Sequence, residues 1–479
     1  MEKRSIKLNA LYNVINQGVV ILFQLITMKY ISSILHLENY GRFNFCSSIL
    51  NYFLLFAQLG ISNYVIREGA GVRDDNVKLQ RLTNEVFTIN FCSTVFSIIL
   101  YIFMILTQTR LENERSILCI LGIQLVLNVI NVEWIYNIFE DFKFIALRNL
   151  CIQIISFICM IMFVKEKGDY LKYTLISAVS ASLGYYFNFL YSKRMVPIRI
   201  IVHPNFKKHI GPILLLFFNS LAVLIYVNSD ITILGIIESD SIVGIYSVSV
   251  KIYTIVKRIF QAVVIISVPR LSNYYTNSEM KKYRSLLRQM HNIVITIVIP
   301  MLFGLIMTAK NAILIVSGSE YLEGVNSLRI LCLALIFSSL ANYYISCVLL
   351  PLKNDKMILI STVISAIVNI SLNLILIPKL SLDGAAITTV VAEGIVMILA
   401  YKASGPYRQN KECIQTYIKV AVGSIGILIT CLIIERFNLQ LFSETVLKIM
   451  FSGLVYICIE ISLKNPVMIE ISGKVRKKS

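Results

Sequence analysis

Acidic residues are scarce in this chain: Asp and Glu number 27 against 45 Lys and Arg, and charged residues fill only 15% of 479 positions. A soluble globular protein carries about a quarter charged residues. With 57% of positions hydrophobic, this is a polytopic membrane protein. There is no GxxxxGK(S/T) loop and no soluble stretch long enough to hold a nucleotide, which excludes a nucleotide-driven pump. The four histidines, His36, His203, His209 and His291, lie in loops or at a span boundary, without carboxylate or thiol neighbours at ligand spacing. The ten cysteines fall mostly inside apolar runs and read as inert thiols. No metal, no cofactor and no catalytic residue is expected, because no Ser/His/Asp or paired-carboxylate arrangement can be built. The chain does not read as an enzyme.

Apolar runs are what it does have. About fourteen of roughly spanning length follow one another between residues 11 and 463, least distinct over 116–164, where polar residues interrupt them. The first run follows Lys3, Arg4 and Lys7 but continues to about residue 35 without a small-residue cleavage site, so it is a retained span rather than a signal peptide. Placing the N-terminus in the cytoplasm puts most Lys and Arg in inner loops and in the tail Lys474, Arg476, Lys477, Lys478. This asymmetry is the positive-inside rule, and it accounts for the net charge of +18 without nucleic acid as a partner. Both termini are expected in the cytoplasm. The basic tail and the inner loop from Lys193 to His209 would also attract anionic lipid headgroups.

A faint internal repeat lays residues 37–43 over 240–246, with Gly244 on Gly41, and Arg270 on Arg67. It superposes span 1 on span 7 and span 2 on span 8. The expected fold is therefore all-α, with two six-helix lobes in a pseudo-twofold arrangement and two extra C-terminal helices. Their bounds are 1–200 (spans 1–6), 201–405 (spans 7–12) and 406–479 (spans 13–14 and the basic tail). Pro197, Pro204 and Pro212 fall in the loop joining the halves, Pro212 suiting the first turn of span 7. Pro300 should kink span 9.

The stretch Asn369–Glu393 reads as a helical hairpin. Asn369 and Asn373 stand one turn apart, Pro378 stops the first helix, a short loop runs through Asp383, and Gly384-Ala385-Ala386 opens the second helix with close backbone approach. Glu393 lies about halfway down that helix, where a charge costs on the order of 2.5 to 3.5 kcal/mol, so it needs a partner or a wet cavity.

Polar residues inside the spans form a pattern. Ser247, Lys251, Thr254 and Arg258 recur at i, i+4, i+7 and i+11, a stripe down one face of span 8. The repeat carries this face onto Asn44, Ser48 and Asn51 of span 2, with Gln58 further on. The two faces either meet across a central cavity or serve as hydrogen-bonding glue between helices. Asp230, beside Asn228 and Ser229, lies at the depth of Lys251 and could pair with it. Lys29 is set apart from the stripe of Asn9, Asn13, Asn16, Gln17 and Gln24, and could instead snorkel to the outer interface. Span 4 is polar on two faces, Gln124, Asn128 and Asn131 on one, Glu133, Asn137 and Glu140 on the other; Glu133 is deepest and has no evident partner. A cavity of cations and amides suits an anionic, hydroxyl-rich substrate, since Arg presents a planar fork of donors to phosphate and Lys a point charge. A lipid-linked pyrophosphoryl oligosaccharide has these features.

Tyr40-Gly41, Leu59-Gly60 to Arg67, Asp230 with Leu234-Gly235, Gly244 to Tyr246, Pro269-Arg270-Leu271, and Asn369 through Pro378, Gly384-Ala385-Ala386 and Thr389 to Glu393 occur in order along almost the whole chain. In these the chain resembles the oligosaccharide flippases of O-antigen and capsule synthesis, in the superfamily that also holds multidrug and toxin exporters and peptidoglycan-precursor flippases. The resemblance implies a multidrug-exporter-like two-lobed carrier in the bacterial cytoplasmic membrane. It would flip an undecaprenyl-pyrophosphate-linked repeat unit by alternating access, in functional partnership with a polysaccharide polymerase. On this resemblance Lys251, Arg258, Arg67 and Lys29 are expected at the pyrophosphate. Asn44, Ser48, Asn51, Ser247 and Thr254 would line the cavity, and Asp230, Glu133 and Glu393 are candidates for coupling or ion pairing. A cation-coupled drug exporter of the same superfamily is the alternative, and would offer membrane-embedded acids to its substrates. A membrane-embedded sugar polymerase would need large outer loops, which the chain lacks.

Overall fold

A computed structural model of the protein describes residues 6–139, 141–193, 195–202, 204–408 and 413–470, without the side chains of residues 6–17 and of Phe142. Glu140, His203 and the tail Lys474, Arg476, Lys477, Lys478 therefore lie outside the described residues, as do the side chains of Asn9, Asn13, Asn16 and Gln17. The described residues form helices and no strand. Eleven helices among them are long and apolar enough to cross a membrane; the chain is a multi-pass membrane protein. The sequence count of about fourteen takes as separate spans some runs that the structure joins.

The first of these joined runs is α1, Ile6–Gln58, whose 53 residues are interrupted at His36 by a non-helical backbone (φ 57, ψ −177). Beyond it come α2 (Ile61–Gly71), α3 (Asn76–Thr107), α4 (Arg115–Leu127), α5 (Glu133–Ile138), α6 (Phe142–Phe163), α7 (Tyr170–Ser192) and α8 (Phe206–Ile237). The run at 116–139 is divided by a 3-10 turn, Asn128–Ile130, where the amides Asn128 and Asn131 bond to one another instead of facing lipid (3.3 Å). Asp75 caps α3 by accepting from the backbone N–H of Lys78 (3.0 Å), and these contacts hold its carboxyl below the ordinary Asp value. Asn205 caps α8 in the same way (3.3 Å). Pro212 is then seven residues into α8 rather than in its first turn.

The remaining helices are α9 (Asp240–Ile265), α10 (Val268–Thr276), α11 (Met280–Ser317), α12 (Gly324–Tyr343), α13 (Asp355–Ala403), α14 (Ile414–Glu435) and α15 (Leu441–Ser462). The hairpin expected at 369–393 lies within α13, and its stop is displaced. Pro378 forfeits one helical bond but the helix runs on, and the chain reverses at Ser381 (φ 50, ψ −128). Gly384 makes the tight return possible: a Cβ there would lie 2.5 Å from the carbonyl oxygen of Leu376. Asp383 then accepts from Asn326 and Ser327 of α12, each at 2.6 Å.

By packing, the chain divides into two units, Met1–Gly244 and Ile245–Ser479. In the first, α2, α3, α5 and α8 enclose an apolar cluster that includes Tyr64, Val65, Val86, Trp134, Ile135 and Ile213. The linker before α8 is strapped to α3, since Arg199 N–H donates to Asn84 (2.9 Å) and Ile201 N–H to Thr88 (3.0 Å).

The two glycines matched by the internal repeat touch one another. A Cβ on Gly41 would lie 1.7 Å from Asp240 O and 2.9 Å from Gly244 N, and one on Gly244 would lie 2.2 Å from Leu37 O. Gly41→Ala is therefore expected to cost about 1 to 3 kcal/mol through forced separation of the backbones. Gly304→Ala, where a Cβ meets nothing within 4 Å, should be neutral or slightly stabilising. Thermal unfolding of the two purified variants measures the contrast.

Candidate functional site

α9 carries the cationic stripe expected from its sequence. Ser247 is buried, Lys251 and Thr254 are half-buried, and Arg258 is exposed. The Thr254 hydroxyl returns to the Lys251 carbonyl (3.0 Å). One turn along the same helix stands Lys257, which sequence periodicity left out because it falls off the stripe. It makes a close ion pair with Glu393 of α13, whose carboxylate also accepts from the Tyr253 hydroxyl (3.3 Å). Glu393 is thus held by a lysine and a phenol of its own unit. Deeper in the α13 hairpin, Thr388 donates to Asn373 (2.5 Å) and Asn373 to Asn369 (3.2 Å), all three fully buried.

In the first unit Glu133 has an analogous partner. Arg148 of α6, 7% exposed, reaches Glu133 at 3.1 Å and makes a close hydrogen bond to Asn188 of α7. Asn188 in turn donates to Glu133 (3.3 Å), and its carbonyl takes the Tyr136 hydroxyl. A lone arginine inside an apolar run is itself a signal, since a charge at that depth has to be paired; Arg148 was legible on that ground, but its partners were not.

The other sequence-selected residues divide between packing and surface. Asn44 and Ser48 are buried; Asn44 donates to the Tyr40 carbonyl (2.7 Å), and Ser48 meets Thr232 of α8 (3.0 Å), which Tyr52 also touches (3.3 Å). Gln58 donates to Asn128 (3.2 Å). Asn51 and Lys29 are exposed. Arg67, also exposed, lies beside Glu68 (3.4 Å). Asp230 is buried in α8.

The histidines require a correction. His209 is buried in α8 rather than lying in a loop, and His291 is buried well inside α11 rather than at a span boundary. His209 does have a carboxylate neighbour: Nε2 is 2.7 Å from Glu85, while Nδ1 is 2.7 Å from the Tyr64 hydroxyl. Glu85 lies far from His209 in sequence, so no spacing rule could join them. Among the described residues no group of His, Cys, Asp or Glu could hold a metal ion.

A second feature of the later unit is an apolar groove of about 640 Å³ between α11, α14 and α15, lined by residues such as Ile297, Leu305, Ile427 and Ile457.

Comparison with known proteins agrees with this architecture. A family described as "Polysaccharide biosynthesis protein" matches residues 6–275, more than half of the chain. A putative O-antigen transporter of Escherichia coli strain K12 is 22% identical over 293 residues, 58% of this chain and 68% of that protein. A probable low-salt glycan biosynthesis flippase, Agl15 of Haloferax volcanii, is 29% identical over 170 residues, 36% of each chain. The lipid II flippase MurJ in an inward closed conformation superposes with a TM-score of 0.77 at 16% identity, over 95% of this chain and 99% of that one; at that identity the likeness speaks for the fold. The chain belongs to the polysaccharide biosynthesis protein family and is a transporter of the O-antigen or polysaccharide flippase type.

Proposed function

We propose that the protein flips an undecaprenyl-pyrophosphate-linked oligosaccharide repeat unit, of O-antigen or capsule type, across the bacterial cytoplasmic membrane by alternating access, with both termini in the cytoplasm. The observation that carries this reading over drug export is the neutralisation of the membrane acids. Glu393 is engaged by Lys257 and Glu133 by Arg148, so each carboxylate already carries a cation of the protein's own. The polar face of α9 presents Lys251 and Arg258, and cations with amide and hydroxyl neighbours suit pyrophosphate and sugar. Arg67 and Lys29 are secondary phosphate contacts in this reading, Thr254 and Asn51 line the sugar path, and the buried Ser247, Asn44 and Ser48 pack behind it. Asp230, buried in α8, is the candidate for coupling. Consumption of the flipped unit by a polysaccharide polymerase would pull transport forward.

The test is surface polysaccharide in a strain lacking the protein, complemented with wild type, Lys251→Ala, Arg258→Ala or Lys251→Arg. Loss of a charge-assisted contact is worth about 1.5 to 3 kcal/mol, so each alanine variant is expected to restore less than about a tenth of the polysaccharide at equal membrane abundance. Lys251→Arg should retain most of it. A null strain that keeps its polysaccharide but becomes sensitive to cationic drugs would replace flipping with export.

A further inference from the structure

The last turn of α15 holds a carboxyl group without a counter-charge. Glu460 is fully buried; its Oε2 accepts from the side-chain amide of Asn465 (2.5 Å), while its Oε1 has no hydrogen-bond partner among the described residues. The facing helix makes room for that oxygen, since a Cβ on Gly423 of α14 would lie 2.5 Å from Oε1. Lys419 of α14 is the cation whose field reaches the group, but its ammonium is bound to the Lys464 carbonyl (2.9 Å). The other titratable groups around it are Tyr456 on its own helix, Arg288 and His291 of α11, Tyr417 of α14 and Glu470. Tyr456 is committed elsewhere, donating to the Thr296 carbonyl (2.7 Å), and among the described residues none of these groups is bonded to the Glu460 carboxyl.

The same carboxyl anchors the chain that follows. Asn465, also fully buried, donates from its side chain to Thr296 Oγ1 of α11 (3.3 Å) and from its backbone to the Glu460 carbonyl (2.9 Å). Its Oδ1 accepts from Val467 N–H (2.8 Å) and so caps a short helix, 466–470, that begins on Pro466. This helix is a strap over one end of the apolar groove. Met468 packs on Ile427, Cys431 and Tyr456, and Val467 and Glu470 line both the groove and an adjoining polar pocket of about 260 Å³.

We propose that Glu460 is a proton-binding site, and that its bound proton locks the strap 465–470 over the end of the groove. With the proton in place the carboxyl is neutral and leaves one O–H unpaired. Without it, a full charge would rest on one neutral donor and a vacant oxygen, and a buried charge that is neither paired nor well hydrogen-bonded costs far more than a buried neutral polar group. Ionisation therefore favours the arrangement in which the strap lifts and water reaches the carboxylate. The closed arrangement binds one proton more than the open one, so closure weakens as pH rises. The lock is independent of which cargo is flipped, because it rests only on contacts within the later unit.

Hydrogen–deuterium exchange of the purified full chain tests the lock, read at residues 465–470 between about pH 6 and about pH 9, where buried glutamic acids titrate, and corrected for intrinsic exchange. Protection of the wild-type strap is expected to fall about tenfold or more across that range. Glu460→Gln keeps the neutral shape, so its strap should stay protected throughout, and its infrared spectrum at neutral pH should lack one protonated-carboxyl stretch that wild type shows. Asn465→Ala should lose strap protection at every pH, and with it the stretch, because an open strap lets water ionise the acid. A wild-type strap indifferent to pH, a glutamine variant that follows the wild-type pH dependence, or identical carboxyl stretches in those two proteins would each overturn the proposal.

Discussion

Lys257→Met is expected to destabilise the protein by about 3 to 5 kcal/mol, the usual consequence of removing one member of a buried ion pair. Both partners are withdrawn from solvent, the Glu393 side chain at 4% and that of Lys257 at 15% exposure. The loss is not mainly that of an attraction. Glu393 would keep its position halfway along an apolar helix without its ammonium, and the Tyr253 hydroxyl (3.3 Å), a neutral donor, does not replace one in a low-dielectric setting. The double variant Lys257→Met/Glu393→Met removes both charges and should recover most of the stability, because two apolar side chains of similar volume bear no desolvation cost. Thermal unfolding of the purified protein, with membrane abundance as a parallel readout, measures the cycle. A single variant as stable as wild type would mean that Glu393 does not depend on Lys257. The same variant should also lower polysaccharide export in proportion to the protein lost, which separates it from Lys251→Ala, expected to fail at full abundance.

The second large effect is expected at Arg148. Its guanidinium serves three groups at once: Glu133 at 3.1 Å, the Asn188 side chain, and Asn149 at 2.7 Å. Among the described residues, Arg148→Leu leaves Asn188, which is fully buried, without a donor for its amide oxygen, and leaves Glu133 with only the Asn188 amide. Because the Glu133 side chain is 42% exposed, water can take over part of its solvation. The expected cost is about 2 to 3 kcal/mol, below that at Lys257. Arg148→Lys should recover little of it, since a single ammonium on a flexible stem cannot reproduce a planar fork of donors. Glu133→Gln should be milder than either, because the amide oxygen still accepts from Arg148. A lysine variant with wild-type unfolding temperature would show that charge alone, not the geometry of the fork, holds α6 to α7.

These two pairs mark the boundary of what was legible in the sequence. Hydrophobic run lengths report what each segment avoids, so the all-helical membrane fold could be read, and so could the hairpin containing Glu393 and the matched glycines 41 and 244. Helical periodicity reports which residues share a face of one helix. It does not report which helix lies opposite, and for that reason Glu393 was recognised as needing a partner while Lys257 was passed over in favour of its neighbours on the stripe. His209 shows the same limit, its carboxylate neighbour being supplied by a helix distant in sequence. Pro378 illustrates a different one. A proline removes one donor, yet where the chain turns is decided by where two backbones can approach, and Gly384 places that at Ser381.

The segment before α8 looks in sequence like a loose basic tether. Its backbone bonds to Asn84 and Thr88, and the anchoring of the start of α8 that follows it, where His209 is buried against Glu85 and Tyr64, make it part of the first unit's solid surface. Arg199, Lys207 and Lys208 are accordingly displayed from fixed positions, as a printed pattern of charge rather than a drifting cloud. An epitope tag inserted at residues 199–201 would therefore tear out a structural strap, whereas a tether would have absorbed it.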